Sequence, residues 1–150
     1  MYVSDSSLQI PLLQFSSVSP SILLVSSLAA CVPAPTRSVY AATKASSLLL
    51  YQSLSIEHPA ITFSFVMPTR VEGSFRQTAI DRGDGPDVYQ ETSKKSLSQE
   101  TVAKRCIQAI DAGEKHVFMP WAFCRSGQAV YWWRPSITEG IARRMYGFTS

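Results

Sequence analysis

The chain has 150 residues, 45% of them hydrophobic and 17% charged, which suits one globular domain and excludes a disordered one. Its formal charge of +3 is modest and its basic residues are not gathered into one run, so charge gives no reason to expect a nucleic-acid partner. Three cysteines, Cys31, Cys106 and Cys124, are odd in number and form no CxxC pair, which argues against a disulfide framework or zinc site and for a reducing, intracellular compartment.

The first residues, 1–20, are serine-rich and irregular, and they lack the basic start of a signal peptide. No run approaches the roughly 18 to 20 apolar residues of a spanning helix, so the chain is not expected to cross a membrane. Ser21 to Val25, "SILLV", is a short apolar run ending in small polar residues, as expected of a buried parallel strand. After the proline-containing "CVPAPTR", the stretch Ser38 to Glu57 is rich in Ala and Leu, lacks Gly and Pro, and predicts a helix. Residues 61–67, "ITFSFVM", are β-branched and aromatic, with Ile61, Phe63 and Phe65 alternating against Thr62 and Ser64, and predict a second strand that stops at Pro68. The stretch 69–96 contains "DRGDGPD", which predicts a long irregular loop or lid.

Ser98 is placed to cap a helix in which Val102, Cys106 and Ile110 recur at helical spacing until Gly113. "KHVFMP" predicts a third strand. Strand, helix, strand, loop, helix, strand is the order of an α/β sheet with parallel strands and right-handed crossovers over residues 21–120. Residues 121–150 differ, since aromatic rings alternate there with Arg125, Arg134, Arg143 and Arg144, and two helices broken at Pro135 are predicted. Such a mixture suits a membrane interface, the wall of an apolar pocket, or a contact between subunits such as a homodimer.

Tyr40 and Lys44 are four residues apart, so they share one helix face about one turn apart. Such a pair arises by chance in roughly one chain in four of this length, and alone it carries little. Its context carries more. Ser27 lies thirteen residues before Tyr40, past a strand whose carboxyl end is where open α/β sheets bind ligands. Ser26 competes with Ser27, but strand alternation would send the two hydroxyls to opposite sides. His58 and His116 have no second ligand nearby and are expected to be structural or solvated; no metal is expected.

"VSSLAA" followed by "YAATKAS" at this spacing resembles the catalytic half of the short-chain dehydrogenase/reductase family, over about residues 22–120. The C-terminal "MPW", "YWWRP" and "ARRMYGF" resemble the dehydrogenase/reductase member 7 type and its fungal relatives. The resemblance implies the C-terminal part of a Rossmann-like, doubly wound parallel sheet with a helical aromatic extension. It implies an NAD- or NADP-dependent oxidoreductase acting on a carbonyl or hydroxyl, and a place at the endoplasmic reticulum surface. Tyr40 would be the general acid/base, Lys44 would favour its phenolate and bind the cofactor ribose, and Ser27 would hold the substrate oxygen. Pro68 and Val71 would meet the nicotinamide, although Thr69 replaces the family's glycine and Gly73 stands at its usual threonine position. An apolar carbonyl or hydroxyl compound, lipid-, steroid- or retinoid-like, is the expected substrate.

The family's TGxxxGxG turn and Asn-Asn-Ala-Gly segment have no counterpart here, and the chain contains no asparagine at all. Without such glycines the backbone cannot approach a pyrophosphate closely. The chain therefore reads as a C-terminal portion of a family member, poorly stable and weak in NADP(H) binding by itself. A non-catalytic interaction module, binding a membrane surface or partner through its aromatic tail, is the alternative.

Overall fold

The computed structural model describes residues 19–73 and 96–148, so the expectations for the serine-rich start and for most of the loop after Thr69 fall outside the described residues. Three parallel strands, β1 (Ser21–Val25), β2 (Thr62–Pro68) and β3 (His116–Met119), lie side by side in that order. Ile22 stands opposite Phe63 in the first pair, and Val66 opposite Val117 in the second. A helix α1 (Ser38–Glu57) joins β1 to β2, and α2 (Gln99–Asp111) precedes β3. Two more helices follow, α3 (Trp121–Trp133) and α4 (Pro135–Tyr146), and Pro135 opens the second at its first turn.

Residues on β2 alternate between two cores, as a period-two strand buried on both faces must. Phe63, Phe65 and Met67 pack with Leu48 and Leu54 of α1 and Cys124 of α3. Val66 packs with Val102, Cys106 and Ala109 of α2 on the other face. The strands run in sequence order with α1 and α2 on opposite faces, so the two crossovers have opposite hands. Only one can obey the right-handed rule, so the expectation of right-handed crossovers fails at the other. Residues 69–98 separate β2 from α2.

The ends of α2 are fixed by local chemistry. Ser98 Oγ accepts from the Thr101 amide at 3.1 Å, and Gly113 at φ +62° lets the Glu114 amide reach the Ala109 carbonyl at 2.9 Å. Arg105 then clamps Glu114 through two bonds of 2.9 and 2.7 Å, and the guanidinium holds that carboxyl below the usual range. Burial pushes the Cys124 thiol up to about 11, so it serves as a packing group.

His116 opens β3 against the Phe65 ring, with centroids 5.4 Å apart, and its Nε2 lies 3.4 Å from Gln52 Nε2 of α1. Burial, then the charges of Lys115 and Arg125, hold its pKa below the ordinary value of 6.5. The unfolded chain therefore takes up this proton first as the pH falls, so the stability tied to His116 is whole above the unfolded value and is lost as the pH falls through the folded one. Thermal unfolding followed from about pH 8 to about pH 5 is expected to show this small loss. His116→Gln should remove it, and an identical profile in the variant would refute the assignment.

Candidate active site

The site begins where β1 stops pairing. Ser26 makes one last sheet bond, its amide donating to the Val66 carbonyl at 2.8 Å. The chain then turns into a short 3-10 segment, Leu28–Ala30, capped by Ser27, whose Oγ accepts from the Ala29 amide at 3.2 Å. Ser26 and Ser27 are both buried. Because the strand has ended, alternation no longer separates them, and both line the same cleft. Ser26 commits its proton to the Lys44 carbonyl at 3.5 Å, as expected of a hydroxyl bonded to backbone.

Tyr40 sits in the first turn of α1, the end at which the helix dipole favours negative charge. Lys44 follows one turn later, with Nζ 6.0 Å from the Tyr40 ring centroid. The same Nζ donates to the Val25 carbonyl at 3.1 Å, which ties α1 to the end of β1 and uses one of three ammonium protons.

The second wall comes from the end of β2. Val71 forms an isolated parallel bridge with Leu97, so the described ends of the long stretch after Thr69 are pinned together. That bridge uses the Glu72 amide to the Leu97 carbonyl, 2.9 Å, and the Leu97 amide to the Arg70 carbonyl, 2.8 Å. The amide and carbonyl of Val71 itself point to the other side. Gly73 has φ +135°, and a Cβ there would stand 2.9 Å from Gln99 Nε2, which explains a glycine at that position.

These pieces enclose one cleft of about 330 Å³ at the carboxyl ends of β1 and β2, lined by Ser27, Tyr40, Lys44, Pro68 and Val71 together. The structure thus gathers every site residue singled out in the sequence. It adds one that spacing did not reveal. Arg37 also lines the cleft, and its guanidinium lies 4.7 Å from the Tyr40 ring centroid. The preceding residue, Thr36, has φ +63°, a left-handed conformation costly for a β-branched residue. A β-branched residue at positive φ before the pair is a backbone feature that sequence patterning does not flag. Among the described residues no group of three His, Cys, Asp or Glu side chains is placed to hold a metal.

No family model matches the chain. In sequence it is 29% identical over 137 aligned positions to 11-beta-hydroxysteroid dehydrogenase A of Sesamum indicum, covering 83% of this chain and 38% of that protein. In fold it is similar to a short-chain dehydrogenase from Sphingobium yanoikuyae in complex with NADPH, with a TM-score of 0.56 and 20% identity over 79% of this chain and 44% of that one. The chain spans less than half the length of either relative.

Proposed function

We propose that this chain, a short-chain dehydrogenase/reductase by the sequence and α/β fold it shares with those relatives, carries the proton-transfer centre of an oxidoreductase that interconverts a carbonyl and a hydroxyl. The observation that carries this reading is the single cleft lined by Ser27, Tyr40, Lys44, Pro68 and Val71. Tyr40 gives or takes the proton of the substrate oxygen. The hydroxyl of Ser27 accepts from Ala29 and so keeps its own proton to donate to the same oxygen. Lys44 has two further N–H groups for ribose hydroxyls and places positive charge beside the phenol. Val71 offers its backbone amide and carbonyl to a carboxamide.

These residues fit the nicotinamide end of NADP(H) or NAD(H), which supplies the hydride when bound. They do not fit the pyrophosphate end, because no glycine stands in the turn between β1 and α1. The small apolar side chains of Val25, Ala29 and Ala34 in the cleft favour an apolar carbonyl substrate. NADPH oxidation by the protein that carries this chain, followed with a series of ketones and aldehydes of rising hydrophobicity, tests the reading. Carbonyl-dependent oxidation that falls sharply in Ser27→Ala is expected, and oxidation unchanged in that variant would contradict it.

A further inference from the structure

The last two helices carry a surface that the proton-transfer centre does not use. In α3 and α4 the side chains of Trp121, Phe123, Trp132, Trp133, Ile137 and Ile141 are exposed, Trp133 to 86% and Trp132 to 73%. Of α3 only Cys124 is buried. At helical spacing Trp121, Arg125 and Trp132 form one stripe of α3, while Ile137, Ile141 and Arg144 form one stripe of α4. Arginines therefore alternate with apolar groups along the same stripes.

Charge is confined in the same way. From Trp121 onward the sequence has four arginines, no lysine and one glutamate, so the whole net charge of +3 belongs to this segment and the rest of the chain is neutral. Among the described residues no helix is long and apolar enough to cross a membrane. Indole rings and guanidinium groups both suit the boundary between headgroups and acyl chains, the rings as amphipathic anchors and the arginines as cations on apolar stems. Arginine and tryptophan also mark protein–protein interfaces, but a second copy of this chain would set one positive segment against another, whereas an anionic surface complements it.

We propose that α3 and α4 dock this chain onto the surface of an anionic lipid bilayer, with the tryptophans in the headgroup region and the arginines against phosphate and carboxylate groups. The chain's three tryptophans all lie in α3, so intrinsic emission reports on this surface alone.

Sedimentation and tryptophan emission are measured for the full chain with phosphatidylcholine vesicles and with vesicles that also contain phosphatidylserine. Binding with a blue shift is expected for the anionic vesicles, weakened by salt and at least about tenfold tighter than for the neutral ones. The double variants Trp132→Ser with Trp133→Ser and Arg143→Gln with Arg144→Gln should each weaken it severalfold. Leu49→Ser with Leu50→Ser, on the exposed side of α1, should not. Absence of a blue shift, equal binding to both vesicles, or the same loss in the α1 variant would overturn the proposal. So would self-association that buries the tryptophans and leaves no binding to vesicles.

Discussion

Tyr40→Phe is expected to lower kcat for carbonyl reduction by about 10² to 10⁴, the range that a positioned acid/base group contributes, with little change in KM. The substitution removes one oxygen and keeps the ring that Arg37 covers at 4.7 Å, so the fold should be undisturbed and the loss chemical. Lys44→Met should be less selective, because it removes both the charge beside the phenol and the bond to the Val25 carbonyl that ties α1 to β1. Steady-state kinetics beside thermal unfolding separates the two cases. A Tyr40→Phe enzyme within a factor of about two of the parent would refute the role given to the phenol.

The largest loss of stability is expected from Phe65→Ala. Phe65 is 0% exposed at the centre of β2, 6.4 Å from the Phe63 ring and 5.4 Å from the His116 ring by centroid. Truncating such a ring costs about 3–5 kcal/mol, through lost burial and the cavity left behind. That is a large part of the roughly 5–15 kcal/mol that stabilises an ordinary domain, so the variant should unfold at a much lower urea concentration than the parent. By contrast Leu49→Ala, on the exposed side of α1, should change stability by less than about 0.5 kcal/mol. Urea unfolding of the two variants checks both, and a Phe65→Ala loss below about 1 kcal/mol would show that β2 is not the centre of the core.

Much of this architecture was legible because its causes are local. The bounds of α1 follow from an Ala- and Leu-rich run without glycine or proline, and those of α2 from a serine cap and a glycine stop. Strand β2 begins one residue later than its apolar pattern, because the Ile61 amide is taken by the His58 carbonyl at 3.1 Å in the turn that leaves α1. The spacing of Ser27, Tyr40 and Lys44 carried their meeting in one cleft, since a strand end and the first turns of the next helix are fixed neighbours.

What was not legible depends on tertiary geometry. Alternation could not be extended to Ser26 and Ser27, because whether a strand continues is decided by its partner strand. Arg37 reaches the Tyr40 ring only through the left-handed turn at Thr36, which nothing in residue type announces. The opposite hands of the two crossovers depend on which face receives α2, and both faces of β2 are buried.

The central claim is that these residues form the nicotinamide end of a cofactor site and a proton-transfer centre beside it. Amide chemical-shift mapping of the chain, titrated separately with reduced nicotinamide mononucleotide and with adenosine 2′,5′-bisphosphate, tests it most directly. The mononucleotide should shift Ser27, Tyr40, Lys44 and Val71 with an affinity weaker than micromolar, and the adenosine compound should leave the cleft unmoved. Mononucleotide shifts that avoid those four residues, or equal shifts from the adenosine compound, would contradict the claim.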